Sequence, residues 1–335
     1  MVGGIVGKEN MYYNRTISDS FSELIQEGGT LRWLFDYVKC REDLDFLVGK
    51  NDSTEWISVY RGLTRIVRIQ PINKTDKIHL DAAIKYKGIS PDLYGIKPAA
   101  TNFSDDLDNL VHHISKDHIF DRYYNNKKEG YYQNVFSRKY GICGKPDDEF
   151  VIVDKEAVIG YTDQNHKNFL FGSIQNKYKR LQKDISILDA KRYGRSLEKK
   201  AIGNELDFVA LDRNGNILLI EYKHGTNTAG IYLSPLQIGL YYDLFKSLKM
   251  EDLECAVQEM LYQKQLIGLV NPLWSKPSKI KDVIPVLIIS EYHEKSSAKE
   301  KFQDILDFVK TKNGVGFLGN LKRYNFAKDH ALSDW

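Results

Sequence analysis

The sequence predicts a mixed α/β (α+β) protein in two parts, and three observations carry that expectation. Residues 56–69 and 77–86 alternate apolar and polar positions in places, in the manner of strands, and 149–161 reads as a strand or hairpin region. Helix-period stretches lie between and after them, the clearest being the amphipathic run 298–312. Between Gly203 and Tyr241 the chain reads as a strand hairpin followed by a helix, and this hairpin carries charges that packing does not explain.

Taken in order, residues 17–47 read as mostly helical, with Leu24, Ile25, Leu31, Trp33 and Phe35 on an apolar stripe. Arg61, Arg65 and Arg68 fall in the strands that follow, either as a basic strip for a phosphate backbone or as an exposed charged sheet face. Residues 91–104 are loop-like and 107–120 helical. His112, His113 and His118 on that helix are badly spaced for sharing a metal, so they are assigned to its surface. In 122–140, Tyr123, Tyr124, Tyr131, Tyr132 and Tyr140 mix with Arg122, Lys127, Lys128, Arg138 and Lys139. That stretch suits either base stacking with phosphate contact or a loop packed at a domain junction.

Residues 141–148 read as a linker and 149–161 as a strand or hairpin. The helix expected at 168–183 is basic through Lys177, Lys179, Arg180 and Lys183, and Lys191, Arg192, Arg195, Lys199 and Lys200 continue that character up to the hairpin. A polyanion would be drawn along such an approach. After the hairpin, 224–232 reads as a flexible loop, and Ser234 and Pro235 fit an N-cap and first helical position. A helix at 251–267, a buried strand at 283–290 and a short strand at 321–326 complete the reading.

The hairpin's chemistry depends on its turn. On the first strand Glu205, Asp207 and Val209 share a face, and on the second Leu219, Glu221 and Lys223 do. A two-residue turn at Asn214-Gly215 would set Asp207 opposite Tyr222 and separate the carboxylates. A type I turn over Asp212 to Gly215, with Gly215 left-handed, has the preferred Asp at its first position and Gly at its fourth. Its three-residue loop, Arg213-Asn214-Gly215, pairs Asp207 with Glu221 and Glu205 with Lys223. We adopt this register, which gathers all four polar groups on one face.

Two carboxylates and a carbonyl suit Mg²⁺, which takes oxygen ligands and keeps several waters. Asp207, Glu221 and the Tyr222 carbonyl are the candidate metal ligands, with Mn²⁺ able to substitute. Lys223 would orient an attacking water or offset charge building on a phosphate. Glu205 is either a further acid or the ion-pair partner of Lys223.

These residues carry a resemblance. Asp207, thirteen intervening residues and then Glu221-Tyr222-Lys223 resemble the PD-(D/E)xK nuclease superfamily, and Gln237-Ile-Gly-Leu-Tyr241 resembles the Gln-x-x-x-Tyr motif of its RecB-like branches. Leu206 stands where the family's Pro would be, and no histidine motif precedes the hairpin. The resemblance implies a restriction-endonuclease-like core over roughly 165–290, with a mixed central sheet flanked by helices. It implies Asp207, Glu221, Lys223 and Gln237 as catalytic residues and Tyr241 as a nucleic-acid contact. Arg192, Arg195 and Lys199 are the other candidate nucleic-acid contacts, and Glu198 the other candidate extra acid. The implied domains are 1–145, an α+β domain for substrate or partner recognition, and 146–335, the catalytic domain. The implied activity is Mg²⁺-dependent phosphodiester hydrolysis, on DNA rather than RNA, in restriction, defence or repair. A catalytically silent nucleic-acid-binding or regulatory protein on the same fold is the alternative.

Composition agrees with a soluble chain of this kind. The 335 residues are 42% hydrophobic and 28% charged, with 48 basic against 45 acidic side chains and a formal charge of +3. Any nucleic-acid surface must therefore be a local patch. The three cysteines, Cys40, Cys143 and Cys255, lie far apart and read as thiols in a reducing compartment. No signal peptide or membrane-spanning run is evident, so a cytoplasmic protein with no membrane partner is expected. Homo-oligomerisation or a partner protein would act through the N-terminal domain. Residues 3–8 lack P-loop spacing.

Overall fold

The computed structural model describes residues 10–51, 53–82, 86–118, 121–188, 201–202, 205–312 and 316–335. The described chain runs through β1 (Met11–Tyr12), α1 (Asp19–Glu23), α2 (Arg32–Lys39), β2 (Asp45–Lys50), β3 (Glu55–Arg61), β4 (Thr64–Pro71), β5 (Lys77–Ala82) and β6 (Gly95–Pro98). Next come α3 (Ser104–Lys116), α4 (Arg122–Asn125), α5 (Glu129–Lys139), β7 (Phe150–Ala157), β8 (Gly160–Tyr161) and α6 (Gln164–Leu188). The hairpin strands are β9 (Leu206–Asp212) and β10 (Asn216–His224). After them come α7 (Thr228–Lys246), α8 (Met250–Ile267), β11 (Asp282–Ser290), α9 (Ala298–Lys310), β12 (Lys322–Phe326) and β13 (Leu332–Asp334).

The chain folds as two compact units, a mixed α/β arrangement. The first comprises Asn14–Val153 and Val257–Ser275; the second comprises Asp154–Ala256 and Lys276–Trp335 with the described residues up to Tyr13. Cutting the linear sequence at 145/146 keeps each half continuous, whereas these units exchange segments. Particular side chains account for the exchange. Gln263 accepts from the Ile17 amide at 3.0 Å and donates to the Ile17 carbonyl at 2.8 Å, which ties the second half of α8 to the first unit. Tyr13 donates to Asp154 at 2.8 Å and its ring meets Phe245 edge-on at 5.0 Å, which ties the start of the chain to the second unit.

In the first unit β2 to β6 form an antiparallel five-stranded sheet in sequence order. One face supplies Ile57, Val59, Val67, Ile69, Ile78 and Leu80 to a core completed by Phe21, Phe35, Leu107 and Leu110. One-sided burial is what an antiparallel sheet with alternating residues permits. The register between β3 and β4 shifts at Val59/Tyr60, leaving Ile66 as an extra residue, and both Ile66 and Val67 are fully buried.

Several sequence expectations need correction here. The helix expected across 17–47 is two short helices separated by a turn at Gly28 and Gly29, and Phe46 and Leu47 lie in β2. The loop expected at 91–104 contains β6. The tyrosine-rich stretch 122–140 is α4 and α5, with Tyr132 and Tyr140 buried. Arg138 there is buried too, donating to the carbonyls of Val38, Lys39 and Leu44. The basic strip does not form as one surface. Arg61 is buried and bonds Asp121 and Asp43, Arg65 pairs with Asp81 at 3.0 Å, and Arg68 lies over the Trp56 ring at 4.1 Å.

The second unit is built on a mixed six-stranded sheet in the order β13-β12-β11-β10-β9-β7. β10 and β11 are parallel, as are β11 and β12, whereas β9 pairs antiparallel with β10 and β13 with β12. Parallel neighbours need crossover connections, which here carry α7 between β10 and β11 and α9 between β11 and β12. The unbroken apolar runs of β10 and β11 follow from burial on both faces. Pro285 is tolerated in β11 because β12 pairs only from Val286 onward, so the proline sits where β11 has one neighbour. α7 packs on β10, β11, α6 and α9. Among the described residues no helix is long and apolar enough to cross a membrane.

Candidate functional site

The site begins with the turn between β9 and β10. The Gly215 amide donates to the Asp212 carbonyl at 3.1 Å, and Gly215 has φ +87°. The Asp212 carboxylate accepts from the Asn216 amide and from its side-chain nitrogen, each at 2.8 Å. This is the expected three-residue loop over a type I turn. Ile217 pairs with Leu211, Leu219 with Val209 and Ile220 with Phe208. Continued by one step, that register sets Glu221 opposite Asp207. A β-carbon at Gly215 would lie 2.2 Å from the Lys279 carbonyl oxygen. We therefore expect Gly215→Ala to destabilise the protein by about 3 kcal/mol, combining left-handed strain with displacement of that carbonyl. Urea unfolding checks the figure, and an unchanged midpoint would contradict it.

The charged groups then converge. Glu221 is 2% exposed and Lys223 7% exposed. The Lys223 ammonium contacts the Glu221 carboxylate, lies 3.1 Å from the Tyr222 carbonyl oxygen and 3.7 Å from Asp207 Oδ2. The same Asp207 oxygen accepts from the Tyr222 amide at 2.7 Å. So the oxygen atoms expected to hold a divalent ion surround one cationic nitrogen. Burying Glu221 is tolerable because its charge is paired there. The donor set, two carboxylates and a carbonyl, fits Mg²⁺ or Mn²⁺.

Opposite faces of the hairpin have separate tasks. Phe208 and Tyr222 meet edge to face at 6.3 Å, and Tyr222 meets Phe326 at 6.4 Å. This aromatic row holds the strands from the side away from Asp207 and Glu221.

Above the charged face lies α7. It begins at Thr228, capped by the Asn227 side chain accepting from the Gly230 amide at 3.0 Å. The expected start at Ser234 and the loop at 224–232 are thus corrected: Pro235 is inside the helix. Proline lacks the N–H that would bond the Ile231 carbonyl, and the Ser234 hydroxyl donates to that carbonyl instead, at 2.7 Å. Gln237 and Tyr241 fall one turn apart on this helix, Gln237 partly exposed and Tyr241 buried. The Tyr241 hydroxyl donates to the Glu205 carbonyl. Burial, then the charges of Glu221, Asp207 and Glu205, raise the Tyr241 phenol far above its ordinary range. Tyr241 therefore stays neutral and acts as a donor, not a base.

Glu205 is exposed and precedes β9. Among the described residues no three His, Cys, Asp or Glu side chains gather to hold a metal, so Glu205 does not complete a triple-acid site with Asp207 and Glu221. Arg192, Arg195, Glu198 and Lys199 lie outside the described residues, as do Lys191 and Lys200. On α6, Lys177 bonds Asp243 at 2.7 Å, so this lysine supports α7 and does not serve as an open basic surface. Tyr178 bonds the same carboxylate at 2.9 Å, and its ring occupies the space a β-carbon at Gly239 would need, 2.5 Å away. This α6–α7 bond was missed in the sequence because nothing local marks Tyr178 and Asp243 as partners.

Comparison with protein-family models, curated proteins and solved structures finds no match.

Proposed function

We propose that this chain is a metal-dependent nuclease that hydrolyses phosphodiester bonds of DNA, on a restriction-endonuclease-like core. One observation supports this above the others: Asp207, Glu221 and the Tyr222 carbonyl all direct oxygen at the Lys223 ammonium. An isolated structural ion pair needs only one carboxylate. A cation site with an adjoining lysine needs the whole set.

Asp207, Glu221 and the Tyr222 carbonyl would hold Mg²⁺, with Mn²⁺ as a substitute. When bound, the ion supplies a lowered pKa for a coordinated water and polarisation of the phosphoryl oxygen. Lys223 offsets negative charge building on the phosphate or orients the attacking water. Gln237, partly exposed one turn before the buried Tyr241, is the residue of this α7 pair that would meet the nucleic acid, while Tyr241 steadies the entry to β9 through the Glu205 carbonyl. The N-terminal unit supplies recognition of substrate or partner.

The full chain is incubated with linear, circular and single-stranded DNA in Mg²⁺, Mn²⁺ or EDTA. Cleavage in either metal and none in EDTA is the expected result. Binding without cleavage in every metal condition would instead favour the silent, regulatory alternative.

A further inference from the structure

Within the second unit a cavity of about 220 Å³ adjoins the hairpin. Its walls include Tyr161, Phe171, Tyr241 and Phe245, with Lys167 and Glu205 among them. It borders the candidate site: Tyr241 bonds the Glu205 carbonyl and feels the charges of Glu221 and Asp207.

Tyr161 is the informative wall. Its residue is 8% exposed, and its hydroxyl oxygen is buried with no hydrogen-bond partner among the described residues. Burial pushes its phenol up to about 12, so the group is a neutral donor and acceptor near neutral pH. A buried hydroxyl left without a partner is costly, and a polar ring entering the cavity, with the small shift of the Tyr161 wall that exposes the hydroxyl to it, would remove that cost. The cavity is smaller than the roughly 300–1,000 Å³ typical of drug-sized ligands, which suits a single heterocycle and not a whole nucleotide. Ring walls suit the faces of such a group, and a hydroxyl, an ammonium and a carboxylate suit its polar edge.

We propose that this cavity receives one unpaired nucleobase of the bound DNA strand, making single-stranded or locally opened DNA the substrate. The inference rests on the nuclease reading of the adjoining site and adds the structural class of its substrate.

The test uses the wild-type chain, Tyr161→Phe and Ile159→Trp, a bulky substitution at a residue that lines the cavity. Binding is measured in EDTA to a single strand and to a set of the same strand with one base removed at each position in turn. The wild type is expected to lose about tenfold in affinity at one position, the scale of one stacked base. Ile159→Trp should bind the intact strand as weakly as that abasic strand, and Tyr161→Phe should lose several-fold of the difference. Should Ile159→Trp fail to fold, Tyr161→Phe keeps the ring and decides alone. A wild type indifferent to every missing base, or variants with undiminished preference, would overturn the proposal. Cleavage in Mg²⁺ runs alongside. Cutting with no base preference would remove the cavity assignment and leave the nuclease standing. A cavity-dependent preference with no cutting would support the base site and remove the nuclease.

Discussion

Lys223→Ala is expected to lower DNA cleavage by about 10²–10³-fold, the scale of losing one preorganised group that stabilises developing charge. It should also destabilise the fold, because it leaves a carboxylate that is 2% exposed without the ammonium balancing it. Removing one member of a buried ion pair costs about 3–5 kcal/mol. The two effects separate in solution. In EDTA the variant should melt well below the wild type. Mg²⁺ should raise its melting temperature more than that of the wild type, because the ion meets oxygens no longer shared with an ammonium. Thermal unfolding with and without Mg²⁺ reads this directly. A variant as stable as the wild type in EDTA, or one that still cleaves, would remove Lys223 from the account.

Asp207→Asn should have the opposite signature, a comparable loss of cleavage, ~10²-fold or more, with little loss of stability. The amide oxygen can still accept from the Tyr222 amide, which Asp207 does now at 2.7 Å. The Asp207 side chain is 26% exposed, so removing its charge leaves no deeply buried ammonium unbalanced while Glu221 remains. What is lost is one of two formal charges for a hard cation, whose affinity depends on ligand charge. Cleavage rates across a Mg²⁺ series, with urea unfolding of the same sample, check both halves. Cleavage at the wild-type rate would show that Asp207 is an ordinary hairpin residue.

The hairpin was legible in the sequence because its determinants are local. Asp212 and Gly215 specify the turn, the turn specifies the register, and the register decides which carboxylates meet. The buried strand at β11 was legible for the same reason, as an apolar run with polar ends. What was not legible depends on partners far away in the chain. Pro235 looked like a helix start, since its missing hydrogen bond at Ile231 is compensated by Ser234 only once the helix exists. Arg61 looked like part of a basic surface, since Asp43 and Asp121 reach it only in the folded sheet. The exchange of segments between the two units turns on Gln263 meeting Ile17, residues that no spacing rule connects. Tyr161 carried no motif, and its buried hydroxyl became informative only beside a cavity.

The most direct measurement is Mn²⁺ binding by electron paramagnetic resonance, on the wild type and on Asp207→Asn, with no DNA present. The account predicts one Mn²⁺ held by the wild-type chain, competed by Mg²⁺, and its affinity greatly reduced in Asp207→Asn. A wild type that leaves all the Mn²⁺ in solution, or a variant that binds it equally well, would contradict a cation site at Asp207, Glu221 and the Tyr222 carbonyl.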